Sequence, residues 1–169
     1  MMTASVATGP VHTERRRRRR FHSQLLGDVI VPEEQVLQFA DGLFGFAAQR
    51  EWVMIAAGRQ GWCWLHAVDH PALAFLLVDP FEAFPDFGVE LTTQDLRALG
   101  VTSATQVGIF AIATLPLAAD APITVNLQGP VAIALPTRRG RQLVMSDARF
   151  GSRAPLAAQV PAERTDTES

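Results

Sequence analysis

The sequence predicts a mainly β protein: a small antiparallel β-barrel-like domain of about nine short strands with one or two short helices. Three observations predict it. Apolar residues alternate with polar or small ones in many short runs, the period of a half-buried strand. Turn signals recur at about 8–12 residues, as in sandwiches and barrels. The nine prolines between positions 21 and 155 fall mostly at the ends of these runs, where a missing N–H costs little.

Residues 25–31 form the first strand candidate and residues 36–39 the second. Asp41-Gly42 is a turn dipeptide, and a short turn is expected over 45–50. Residues 51–56 make a third strand, and Arg59-Gln60-Gly61 turns the chain into residues 62–68. There Trp62, Trp64, His66 and Val68 alternate with Cys63, Leu65 and Ala67. Asp69-His70-Pro71 breaks the run, because proline fixes its own φ and disfavours helix at the residue before it. Residues 71–78 return as a hairpin partner. Their nearly unbroken apolar stretch predicts a strand covered on both faces.

Asp79-Pro80 ends that strand. The next loop sets Phe81, Phe84 and Phe87 among Glu82, Asp86 and Glu90. Residues 89–91 are expected to extend the sheet, and 106–113 form another apolar strand. Ile123, Val125 and Leu127 alternate with Thr124, Asn126 and Gln128. Val131, Ile133 and Leu135 alternate with alanines, so 123–127 and 131–135 read as two strands. Thr137-Arg138-Arg139-Gly140 then turns the chain into residues 141–145. One helix is clear from its ends: Thr92 caps, Asp95 completes a capping box, Leu96 and Leu99 share a face, and Gly100 suits the C-terminal position.

Composition divides the chain. Residues 1–20 include six consecutive arginines, Arg15 to Arg20, and are expected to be a disordered tail, as are residues 157–169. Residues 21–156 are the expected domain, and 48% hydrophobic content supports a core. Between positions 21 and 155 there are eight arginines and thirteen acids, a balance of −5, against −2 for the whole chain. An acidic domain favours a basic partner and repels nucleic acid.

The single cysteine excludes an internal disulfide and a cysteine-based zinc site, and a reducing cytoplasm fits. No run reaches the ~18 apolar residues of a membrane helix. The arginine tract is not expected to be an export signal, since Asp28 and Pro32-Glu33-Glu34 interrupt the apolar stretch beyond it.

Catalytic signatures are missing. His66 and His70 stand four apart, but Pro71 and the upstream period of two place them on a strand and a turn, not one helix face. The expectation is an exposed or half-buried strand histidine and a turn histidine. Cys63, between Trp62 and Trp64, reads as an inert core thiol. Gly42-Leu43-Phe44-Gly45 lacks the lysine of a phosphate loop, and no serine sits in a nucleophile elbow. Trp52, Trp62, Trp64 and Phe75 read as core packing more than as a base-stacking platform, which would need more cations nearby. No cofactor, metal or catalytic residue is assigned.

Four blocks, in order, carry a resemblance covering roughly residues 26–156. They are Phe39-Ala40-Asp41-Gly42-Leu43-Phe44-Gly45-Phe46, the stretch 65–91, Thr124-Val125-Asn126-Leu127-Gln128-Gly129-Pro130-Val131, and Gly140-Arg141-Gln142-Leu143-Val144. Together they resemble the bacterial flagellar assembly factor FliW family. Ala67 and Phe87 stand where the family pattern has a serine and a tyrosine, and Ala40 and Phe44 where it has prolines. The resemblance implies a small β-barrel-like domain and two partners: flagellin and the CsrA-type RNA-binding translational regulator. In that scheme the protein binds the regulator and stops it repressing the flagellin message. Flagellin competes for it, so synthesis is tied to secretion.

The expectation is therefore a non-enzymatic, cytoplasmic binding protein, monomeric when free, with no specific nucleic acid and no membrane contact. The candidate protein-binding residues are Asp79, Glu82, Asp86, Phe87, Glu90 and Asn126. Rings beside carboxylates suit docking to a basic protein; equally, Phe84 and Phe87 fold back as a lid. Asn126 reads as satisfying a bulge or as an interface donor. The alternative is a nucleic-acid-binding β-barrel that uses the arginine tract.

Overall fold

The arginine tract enters the fold. The computed structural model describes residues 16–157, and its first strand, β1 (Arg18–Ser23), is made half of arginines. β1 pairs antiparallel with β2 (Gly27–Pro32), and Arg19, Phe21 and Ser23 turn inward while Arg18, Arg20 and His22 face solvent. The domain boundary expected at residue 20 therefore moves back into the tract. The reason is local: Arg19 lies between Glu33 and Glu51, and Phe21 needs cover. Arg15 and residues 1–14 and 158–169 lie outside the described residues, so the expected tails fall mostly there.

The main sheet is a ring. β3 (Leu37–Gln38), β4 (Glu51–Ala56), β5 (Cys63–Ala67), β6 (Ala74–Val78), β7 (Val107–Thr114) and β8 (Thr124–Ala134) are neighbours in sequence order. β9 (Arg139–Gln142) pairs with both β8 and β3 and closes the circuit. Every pairing is antiparallel except β3–β9. β10 (Ala154–Pro155) adds to the first half of β8. Near-closure leaves the short β10 as the ring's outlying strand and removes most of the edge that is the standing hazard of an open β structure.

Period-two alternation then sorts the side chains. Trp52, Leu65, Ala67, Leu77, Val131 and Ile133 point into the barrel with Phe39. Their strand neighbours point out and are covered by three separate layers. The β1–β2 hairpin covers Val53 and Val68. The segment after β6 and the C-terminal segment, through Phe87 and Phe150, cover Leu76, Val78, Ala111 and Val125. A helix over Thr93–Leu99, the second of two, covers Ala132 and Ala134 with Leu99.

Four sequence expectations change. The two runs expected over 123–127 and 131–135 merge into one strand, β8, with a bulge: Ile112 faces Asn126 while Phe110 faces Val131, so four residues, 127–130, stand opposite the single Ala111. Asp79-Pro80 starts a short helix, α1 (Pro80–Ala83), with Asp79 as its cap and Pro80 in the first turn, where its missing N–H is not needed. Residues 89–91 join no strand; Val89 packs half-buried under the second helix, α2 (Thr93–Leu99), instead. Residues 24–26 are a turn, because the real partner of β2 is the arginine strand.

His66 is fully buried, not exposed or half-buried. The hairpin lays Phe21 against its ring at 5.1 Å. Its Nδ1 donates to the Ala67 carbonyl at 2.7 Å, and Nε2 has no partner among the described residues. Trp52 is a core residue, bonded through its indole N–H to the Gln49 carbonyl at 3.0 Å. Trp62 and Trp64 are half-buried on the outer face, with the Arg59 guanidinium over Trp62 at 4.6 Å. Burial pushes the half-buried Cys63 thiol up to about 11, which fits an inert thiol.

Candidate functional site

An open groove of about 850 Å³ runs between residues 86–95 and residues 141–149. One wall is the loop from Asp86 to the start of α2. The other is the end of β9 and the chain that continues its ladder, where the Leu143 and Met145 N–H groups donate to the carbonyls of Pro130 and Gln128, each at 2.8 Å. Phe44 closes one end, where its backbone N–H donates to the Gln142 side chain.

The walls carry four carboxylates and two guanidiniums. Both guanidiniums are committed. Arg141 meets Asp95 at 3.2 Å, and Arg149 meets Asp147 at 2.6 Å. Hydrogen bonds from the Arg149 side chain and backbone hold the Asp147 carboxyl below the usual carboxylate range. Asp86 and Glu90 are exposed and form no ion pair among the described residues. The groove therefore presents net negative charge to whatever enters it.

The candidate residues separate into three environments. Asp86 and Glu90 line the groove. Asp79 and Glu82 line a smaller depression of about 320 Å³ with Arg59, Gln60 and Trp62. There Asp79 works locally, accepting the Phe81 N–H at 2.9 Å as the cap of α1. Phe87 is 5% exposed, its ring against Phe81 at 5.4 Å and Phe150 at 5.1 Å. This is the lid arrangement of the two that the sequence allowed, with the ring packed inward in the free protein. Phe84 is half-buried in the same cluster, while Phe81 stays exposed.

Asn126 sits at the bulge of β8. Its Oδ1 accepts the N–H groups of Gln128 at 3.0 Å and Gly129 at 3.1 Å, replacing ladder bonds the bulge takes away. Sequence reasoning missed Asp95, Arg141, Asp147 and Arg149 as groove residues. The Asp147-x-Arg149 spacing was a usable signal for one pair. The Asp95–Arg141 pair needed the fold, since it joins a helix start to a strand.

Known proteins share this architecture. The FliW protein family model matches residues 20–156. The chain belongs to the FliW family. It is 33% identical over 135 residues to the flagellar assembly factor FliW of Geobacter sulfurreducens, covering 79% of this chain and 83% of that one. It is 29% identical over 140 residues to that of Treponema denticola, covering 83% and 95%. A crystal structure of the flagellar assembly factor FliW superposes with a TM-score of 0.76 at 26% identity, covering 83% of this chain and 99% of the other. FliW proteins are assembly factors, so the non-enzymatic reading stands on family membership. No helix among the described residues is long and apolar enough to cross a membrane.

Proposed function

We propose that this FliW-family chain is a cytoplasmic protein-binding regulator, monomeric when free, that holds a CsrA-type RNA-binding regulator and yields it to competing flagellin. Flagellin synthesis then tracks flagellin secretion. The observation that carries this reading is the groove with Asp86 and Glu90 uncommitted on its wall while both of its arginines are neutralised. A basic protein gains from such a surface twice, in encounter rate and in paired charge.

The test is charge reversal. The double variant D86K/E90K changes two exposed side chains and should keep the wild-type melting temperature. Its affinity for the regulator, titrated by calorimetry, should fall by roughly tenfold or more. Equal affinity at physiological salt would remove this groove from the interface. Running the same titration with flagellin tells whether the second partner uses the same wall.

A further inference from the structure

The acidic balance of the domain hides a basic face. Six arginines gather around the start of β1 and the β8–β9 turn: Arg16, Arg17, Arg18, Arg19, Arg20 and Arg138. The tract and the turn lie more than a hundred residues apart in sequence, and Glu33 brings them together. The Arg19 guanidinium is 2.7 Å from Glu33, the Arg17 carbonyl accepts the Glu33 N–H at 2.8 Å, and Arg138 donates to the Glu33 carbonyl at 3.4 Å. Three carboxylates share the area. Glu33 and Glu51 are taken by Arg19, and Glu34 meets Arg16 at 3.5 Å. Arg17, Arg18, Arg20 and Arg138 form no salt bridge among the described residues.

We infer that this face binds the phosphate backbone of single-stranded RNA without reading its sequence. Arg18 and Arg20 project from the same side of a strand, about 6.6–6.8 Å apart along it, and every residue of that strand is paired with β2. Arg138 adds a cation from the β8–β9 turn, held beside the tract at the Glu33 carbonyl. Every cation is a guanidinium, whose planar fork suits phosphate oxygens. A protein partner would need a central apolar or aromatic anchor. The only large exposed apolar residue on this part of the hairpin is Ile30, opposite Arg20. A membrane would need apolar side chains beside the charge. The exposed Leu25 and Leu26 sit at the far turn of the hairpin instead.

The full chain should retain a labelled oligouridylate of roughly 20 nucleotides in fluorescence anisotropy. Retention should weaken steeply between about 50 and 200 mM salt, as counterion release requires. Removing one phosphate-binding arginine lowers the log–log salt slope by about 0.7, so R138Q should lower it by about that much. R18Q/R20Q, on solvent-facing positions, should lower it by about 1.4 and guards against a turn variant that fails to fold. Absence of retention at low salt overturns the inference. So does a slope unchanged in R138Q, which would assign binding to the tract alone. Binding to phosphatidylserine vesicles with none to the oligonucleotide would replace RNA by a lipid surface.

Discussion

The Gln142 side chain accepts the backbone N–H of Phe44 at 2.8 Å, joining residues 98 positions apart. Its amide nitrogen donates to the Gly129 carbonyl at 2.9 Å. Gly129 in turn donates its N–H to Asn126. One amide thus fastens the Phe44 loop, which closes the acidic groove, to the bulge of β8. A Cβ at Gly129 would press on the Gln142 amide nitrogen at 2.8 Å, so a side chain there would push the Gln142 amide out of this arrangement.

Replacing Gln142 by leucine keeps most of the volume and leaves both backbone groups unpaired. The expected loss is about 1–2 kcal/mol in urea unfolding. Gln142→Glu keeps the acceptor for Phe44 and loses the donor for Gly129, so it should fall between wild type and Gln142→Leu near neutral pH. Identical midpoints for the two variants would show that only the Gly129 bond matters.

Gly140 faces the barrel interior, and a Cβ there would overlap the Phe39 ring, itself fully buried. Gly140→Ala should cost about 2–3 kcal/mol by overpacking. The smaller side chain of Phe39→Leu leaves a void that the new methyl can enter. The double variant should therefore lose less stability than the two single losses added together. Additive losses in a double-mutant cycle would mean the strain lies in the β9 backbone and not in the ring contact.

Cys63 gives a chemical test of packing. Burial pushes its thiol up to about 11 from an ordinary value near 9. At pH 8 that leaves about 100-fold less thiolate than an unshifted thiol. Iodoacetamide should accordingly modify the folded protein about two orders of magnitude more slowly than the urea-unfolded one. A folded rate within a few-fold of the unfolded rate would place Cys63 in contact with solvent.

Local signals were the legible ones. Residues 51–56 announce β4 by composition and period, and the structure returns Glu51–Ala56. Thr92, Asp95 and Gly100 announce α2, and both bonds of the capping box form, with Gly100 left-handed at φ 69. What stayed hidden is non-local or disguised. Ring closure by β9 pairs it with β8 and, in parallel, with β3, and nothing near residue 139 announces residue 38. The arginine strand was disguised by charge: six like charges read as a solvated tail until Glu33 and Glu51 appear beside Arg19. Asn126 interrupts an alternating run, which marks an irregularity but not its size. Phe87 allowed two arrangements because a loop sequence does not say which of its rings turn inward.

The Arg19 cluster makes the fold sensitive to acid in a defined direction. The hydrogen bonds from Arg19, more than the surrounding arginine charges, hold the Glu33 carboxyl below its ordinary value of 4.5. A carboxyl depressed on folding binds fewer protons in the native state than in the unfolded one. Its stabilising contribution is complete above about pH 4.5, the unfolded value, and is lost as pH falls through the depressed native one. Arg19 is raised by the same bonds, above the range where the protein can be studied, so it adds no slope at acid pH. Asp147, depressed by Arg149, acts in the same direction. Glu33→Gln should lower stability at pH 7 and flatten its decline between about pH 4.5 and 3. Asp147→Asn should flatten the same interval while leaving the β1–β2 hairpin unaffected. If wild type and Glu33→Gln lose stability in parallel over that interval, Arg19 does not hold the hairpin through Glu33. The anchoring of β1 would then rest on Phe21 and Glu51.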